Sequence, residues 1–240
     1  MNIIRHIPNT ITSMNLFCGL MGVIFTFKGQ LDTAFLLMIA AAVCDFCDGF
    51  SARLLKAYSE LGKQLDSLAD MVSFGTLPAL MSHRMMVEAG TTSWVCYIPL
   101  LIGVFSALRL AKFNIDERQT ENFIGLPTPA CAMIIGSFAY YVCNTPDSIL
   151  AGWAGTTWFI PAVSILLSAL LVCEMPMFSM KFKKGSENKV RILRLTFACM
   201  TAAEALAVAI LGLNWSMVIL LVFIGYILIN LIAYLFTARE

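Results

Sequence analysis

The sequence predicts an all-α fold: a polytopic transmembrane helix bundle of about eight helices, with both termini cytoplasmic. Three observations carry that prediction. Of 240 residues, 59% are hydrophobic and only 13% charged, with a mean hydropathy of +0.81. A soluble domain carries about 25% charged residues, so this chain has too little polar surface to face water. Its apolar residues gather in runs near 11–27, 33–53, 64–82, 94–111, 125–143, 157–173, 193–213 and 216–236; a membrane-crossing helix needs roughly 20 apolar residues, so several of these are short or polar-ended. Eight spans bring both ends to one side, and every basic residue except Lys28 and Arg84 falls on that side. Basic loops stay cytoplasmic. The net charge of +1 gives no reason to expect nucleic acid as a partner.

The elements follow in chain order. Ile7-Pro8-Asn9-Thr10 introduces the first span, since Pro cannot continue a helix backward and Asn or Thr can cap one. No cleavable signal is expected, because the run at 11–27 continues without a small-residue cleavage site. Asp32 reads as a loop residue before the second span. The stretch 54–61 reads as a cytoplasmic turn, making the second and third spans antiparallel neighbours. The fourth ends in Arg109 and Lys112. Pro146, Gly152 and Gly155 blur the boundary after 145. The polar stretch 181–189 reads as a solvated loop. In the last pair of spans Glu204 stands out, and a helix–helix hydrogen bond is its simplest role. The eight cysteines are scattered through the spans; Cys44 and Cys47 are read as small packing residues, with no disulfide framework.

Residues 45–70 do not suit a membrane. The segment DFCDGFSARLLKAYSELGKQLDSLAD holds Asp45, Asp48, Asp66 and Asp70, and ionisable residues inside spans are costly enough to be functional candidates. Asp45 and Asp48 are three apart, and Asp66 and Asp70 four apart, so each pair shares a helix face. On antiparallel neighbours the two pairs can meet. Four converging carboxylates repel one another and call for cations. Oxygen-only ligands select Mg²⁺ or Mn²⁺ rather than zinc. Two such ions would balance four charges and could clamp a phosphate between them. Gly49 and Ala52 lie on the face of Asp45 and Asp48 and leave room for a diphosphate, with Arg53 and Lys63 adding positive charge beside it. The plainer alternative is helix-end salt bridges from the aspartates to Arg53, Lys56 and Lys63.

The same segment resembles the signature of the CDP-alcohol phosphatidyltransferases, D-x2-D-G-x2-A-R-x8-G-x3-D-x3-D, at every fixed position: Asp45, Asp48, Gly49, Ala52, Arg53, Gly62, Asp66 and Asp70. The resemblance implies that Asp45, Asp48 and Asp66 bind metal, with Asp70 as general base and additional ligand. It also implies CDP-lipid contacts at Asn9, Gly49, Ala52, Arg53 and Gly62, with Asp66 near the cytidine. Further segments resemble the membrane-integral branch of that family whose acceptor is serine. They are Ile7-Pro8-Asn9, Asn15-Leu16-Phe17-Cys18-Gly19, Met71-Val72-Ser73-Phe74-Gly75, Leu108-Arg109-Leu110-Ala111-Lys112-Phe113-Asn114 and Phe123-Ile124-Gly125-Leu126-Pro127-Thr128-Pro129-Ala130. Lys112 stands where Arg is expected, which keeps the charge and loses the bidentate fork.

The resemblance runs from about 5 to 135. With no long linker and no low-complexity segment, the chain reads as a single membrane domain over 1–240, with a catalytic core at about 5–145 and accessory helices at about 146–240. The partners the resemblance implies are CDP-diacylglycerol, L-serine, membrane lipids and a second copy of the chain. The expected setting is a bacterial inner membrane with the site facing the cytoplasm. Serine is a zwitterion whose carboxylate wants a cation, and Arg109, Lys112 and Asn114 are the candidates to meet it. Ser73 and Thr128 are weaker candidates, since hydroxyls in membrane helices usually satisfy their own backbone. Glycerol 3-phosphate or inositol phosphate as acceptor would call for more basic residues than these. A divalent-cation transporter, the rival from another class, would show internal repeats and paired broken helices; neither is visible. A structural scaffold would leave the aspartates unexplained.

Overall fold

The computed structural model describes residues 6–116, 123–178 and 188–237, and the chain there is mostly helical. Helix α1 (Ile7–Phe27) turns at Gly29 into α2 (Leu31–Leu54). A short reversal leads to α3 (Glu60–Asp70), which continues through a π-helical turn (Met71–Thr76) into α4 (Leu77–Glu88). A 3₁₀ segment (Trp94–Leu100) opens α5 (Leu101–Ile115). Then come β1 (Phe123–Ile124), α6 (Thr128–Asn144), the short α7 (Ile149–Ala154), α8 (Phe159–Val172), β2 (Pro176–Met177), α9 (Asn188–Ile210) and α10 (Ser216–Thr237). Each predicted apolar run coincides with one of these helical segments. Four helices among the described residues are long and apolar enough to cross a membrane: Ile7–Phe27, Leu31–Leu54, Trp94–Ile115 and Ser216–Leu235. Arg5, Arg118, Arg239 and most of the polar loop, 181–187, lie outside the described residues.

Several local expectations need correction. Helix α1 starts at Ile7, ahead of the expected caps, with Pro8 in its first turn. Proline is tolerated there because its missing N–H would find no partner anyway. Asn9 is thereby released from capping, and its side chain faces Gly62. Asp32 lies in the first turn of α2 rather than in a loop, where the helix dipole favours a negative charge. The two-residue strands add an antiparallel pairing, Phe123 with Met177 and Ile124 with Pro176. Glu204 packs over Gly225 of α10, which has no side chain to donate, and its Oε2 is buried without a hydrogen-bond partner. Ser73 and Thr128 do not spend their hydroxyls on their own helices: Ser73 Oγ donates to Asn15 O at 3.1 Å, and Thr128 Oγ1 accepts from Arg109 Nη1 at 3.1 Å.

Packing sorts the helices around α6, which touches α2, α4 and α10, while α1 lies along α2 and α3. One apolar core joins α2, α4 and α6 through Phe35, Met38, Phe74, Leu77 and Met81. A Cβ on Gly136 would come within 2.4 Å of the Phe35 ring, so α2 and α6 meet in near backbone contact there. Phe35 also contacts Tyr140 and stacks on Trp215, with ring centroids 5.7 and 6.0 Å away. A second core joins α6, α8 and α10 through Leu126, Leu167, Leu171, Met177 and Tyr226. These two cores hold the middle of the bundle, leaving the polar faces of α2 and α3 to the cavity at its end.

Candidate active site

The site forms where α2 reverses into α3. Helix α2 ends in a hydrogen-bonded cap: Ala57 N donates to Ala52 O at 2.9 Å and Lys56 N to Arg53 O at 3.3 Å. Lys56 takes the left-handed conformation (φ 51°) between them, the Schellman arrangement that satisfies a helix's last carbonyls. Ser59 then caps α3, its Oγ accepting from Gly62 N at 3.0 Å. The caps fix the angle at which the two polar faces meet.

Between those faces and the start of α1 lies a cavity of about 700 Å³, lined by Asn9, Thr12, Asp48, Gly49, Ala52, Arg53, Tyr58, Gly62, Lys63 and Asp66 among others. A Cβ on Gly49 would meet nothing nearer than Arg53 Nη2 at 3.7 Å, so the space beside that glycine belongs to the cavity. Gly62 is different, since a Cβ there would stand 2.9 Å from Asn9 Oδ1. Its missing side chain is what lets α1 and α3 close on each other. All six residues expected at a CDP-lipid, Asn9, Gly49, Ala52, Arg53, Gly62 and Asp66, line this one cavity.

Asp45, Asp48 and Asp66 each offer a carboxylate oxygen, and those oxygens lie within 4.8 Å of one another. Asp48 Oδ2 and Asp66 Oδ1 are buried with no hydrogen-bond partner, and leaving such acceptors unmade is costly. Among the described residues no ion pair joins a basic side chain to the cluster. Arg53 Nε donates to Gly49 O at 2.9 Å, and Lys63 Nζ reaches Asn114 O at 3.1 Å. The salt-bridge alternative therefore does not account for the aspartates. Unpaired carboxylate oxygens at this spacing fit a hard divalent cation, by donor type and by charge.

Asp70 stands apart from that trio. Its Oδ1 accepts from Asn15 Nδ2 at 3.2 Å, although it stays within electrostatic reach of the other three. Of the residues expected at serine, Arg109 is buried on α5, bonded to Thr128, 5.5 Å from the Phe113 ring and within electrostatic reach of Asp70. Lys112 pairs with Glu174 at 3.1 Å, and Asn114 Nδ2 donates to Ser67 Oγ at 2.8 Å. The three do not converge on one point. Sequence reasoning also missed the lining contributed by Thr12 and Tyr58 and the bond from Asn15 to Asp70. The signal for the last was faint: an amide inside an apolar span.

Comparisons with known proteins identify the family. The CDP-alcohol phosphatidyltransferase family model matches residues 5–239. A CDP-diacylglycerol–serine O-phosphatidyltransferase of Mycobacterium leprae (strain TN) is 34% identical over 212 residues, covering 85% of this chain and 68% of the relative. Its counterpart from Bacillus subtilis (strain 168) is 34% identical over 159 residues, covering 65% of this chain and 86% of the relative. An archaetidylserine synthase of Methanothermobacter thermautotrophicus is 33% identical over 138 residues, covering 55% and 57%. With the signature intact, three of its aspartates clustered beside one cavity and the family model spanning nearly the whole chain, this protein belongs to the CDP-alcohol phosphatidyltransferase family of integral membrane enzymes.

Proposed function

We propose that the protein is a phosphatidylserine synthase, transferring the phosphatidyl group of CDP-diacylglycerol to the hydroxyl of L-serine with release of CMP. The observation that carries this reading is the carboxylate trio, of which Asp48 and Asp66 line a cavity large enough for a nucleotide diphosphate. The serine-specific names of its relatives support the acceptor.

Asp45, Asp48 and Asp66 would hold divalent cations, two Mg²⁺ or Mn²⁺ ions in this reading. Such ions, when bound, neutralise charge on the phosphoryl oxygens and on departing CMP. Arg53 and Lys63 border the same cavity and offer the diphosphate further positive charge. Asn9, Gly49, Ala52 and Gly62 shape the wall against which the nucleotide lies. Asp70 removes the proton from the serine hydroxyl; the serine oxygen forms its bond to phosphorus as the phosphorus–oxygen bond to CMP breaks. Arg109 is the residue we assign to the serine carboxylate, because it lies near Asp70. Lys112 and Asn114, held by Glu174 and Ser67, steady the end of α5 in this assignment.

The wider reading has eight helices crossing a bacterial inner membrane, both termini and the cavity in the cytoplasm, and a homodimer as the working unit. The chain is one membrane domain, with its catalytic core at about 5–145 and accessory helices from about 146. The extra pairing of β1 with β2 and the bond from Leu126 N to Leu170 O support a C-terminal part that braces the core.

The test is CMP release from CDP-diacylglycerol by purified protein with Mn²⁺ or Mg²⁺, offering serine, glycerol 3-phosphate and inositol phosphate separately. Serine alone should drive release, and chelation or Asp70→Asn should abolish it. Release with one of the other acceptors instead would overturn serine and keep the enzyme class.

A further inference from the structure

One buried polar side chain next to the site has no part in the chemistry above. Asn15 of α1 is fully buried, and its Nδ2 lies 3.2 Å from Asp70 Oδ1. A carboxylate without its proton can only accept hydrogen bonds, so the amide must turn its NH₂ towards it. The amide oxygen is left behind, buried and without a hydrogen-bond partner. A leucine of similar size would leave no such orphan, so packing stability does not account for an amide here. Local rules tend to be broken where function needs it.

The backbone around this contact is pinned as well. Ser73 Oγ donates to Asn15 O at 3.1 Å. Ser73 can come that close because Gly19 presents no side chain: a Cβ there would lie 2.3 Å from Ser73 Oγ. Ser73 belongs to the π-helical turn that begins directly after Asp70, and such turns often mark functional sites. Helix α1 is thus locked to the Asp70 segment by side chain in one direction and by backbone in the other.

We propose that Asn15 is a positioning residue that orients the Asp70 carboxylate beside the Asp45, Asp48 and Asp66 cluster, fixing one oxygen so that the other is turned to take the acceptor's proton. A neutral amide suits the task. It fixes one carboxylate oxygen without bringing a cation that would tie up the charge a base needs. The inference rests on Asp70 being the base, as read above, and does not depend on which alcohol is the acceptor.

The test uses the full chain in detergent, with Asn15→Asp, which keeps the shape and puts a second carboxyl in place of the neutral amide, and Asn15→Leu, which removes the hydrogen-bonding group. CMP formation, Mn²⁺ affinity by electron paramagnetic resonance and KM for CDP-diacylglycerol are measured on both. The expected result is a loss in kcat of about 100-fold, the lower end of what general acid–base catalysis contributes. Mn²⁺ affinity and KM should stay within about threefold of the unaltered chain, the split that marks an interaction made only in the transition state. A kcat that survives in either variant overturns the proposal. So does a parallel loss of Mn²⁺ affinity, or failure of both variants to fold, since either would make the role one of metal support or structure. Asp70→Asn is run beside them: if it stays active, the reading of Asp70 as base has failed, whatever Asn15 does. If the unaltered chain prefers another alcohol, serine has failed and the Asn15 assay proceeds with that alcohol.

Discussion

Gly19 and Gly49 separate what a residue does for the fold from what it does for the site. Both sit on helices, where alanine is intrinsically better than glycine by about 0.5–1 kcal/mol. At Gly49 a methyl group meets no atom closer than 3.7 Å, so Gly49→Ala should leave the melting temperature unchanged or raise it. The methyl would stand in the cavity, and KM for CDP-diacylglycerol should rise at least about 10-fold, which corresponds to about 1.4 kcal/mol. At Gly19 the same methyl would collide with Ser73 Oγ at 2.3 Å. Gly19→Ala should therefore cost about 1–3 kcal/mol of stability, the usual price of overpacking, read as a lower melting temperature in detergent. A Gly49→Ala chain with unaltered KM would remove the glycine from the nucleotide wall. The sequence distinguishes these two glycines only in part. Gly49 sits in a motif whose spacing is local, while Gly19 depends on Ser73, far along the chain. Asn15 and Asp70 are hidden from a linear reading for the same reason, being 55 residues apart.

Among the elements, the helices were legible and the irregular joints were not. An apolar run bounded by polar residues marks a span by itself, so all eight runs found a helical segment. The π-helical turn after Asp70, the 3₁₀ entry to α5 and the β1–β2 pairing are set by contacts between segments distant in sequence. The α2 terminus shows a local choice that the sequence does not advertise. Its cap requires a left-handed residue at Lys56 (φ 51°), a place usually taken by glycine. The left-handed conformation costs an ordinary residue about 1–2 kcal/mol. Lys56→Gly should recover roughly 1 kcal/mol of that, less glycine's own loss of chain entropy. Since the cap uses the carbonyls of Ala52 and Arg53, both on the cavity wall, activity should be kept while the melting temperature rises. A drop in activity with no gain in stability would mean that the lysine side chain, rather than its backbone, matters at this turn.

For the whole molecule, the question is which side of the membrane the cavity faces. The helical run from residue 60 to residue 88 is continuous through α3, the π-helical turn and α4. At about 1.5 Å per residue it rises roughly 40 Å, more than the roughly 30 Å of a hydrocarbon core. On the eight-span reading proposed above, its two ends lie on opposite faces. The cavity, Arg53 and Lys63 belong to one end; the Arg84–Glu88 pair, 2.7 Å apart, belongs to the other. Arg53, Lys56 and Lys63 stand at the first end against Lys28 and Arg84 at the second, which supports the proposed inward-facing cavity. Exposed Leu61 and Thr92 report on the two ends. With the exposed cysteines Cys47, Cys143 and Cys199 replaced by serine, Leu61→Cys and Thr92→Cys can be probed in intact spheroplasts with a membrane-impermeant maleimide. Thr92→Cys should label at once, and Leu61→Cys only after the membrane is opened. The reverse pattern would put the carboxylates outside, away from a cytoplasmic supply of CDP-lipid and serine, and would overturn the inward orientation while leaving the helix run intact. Equal labelling of both without opening the membrane would mean that the run does not cross it, and the eight-span topology would fall with it.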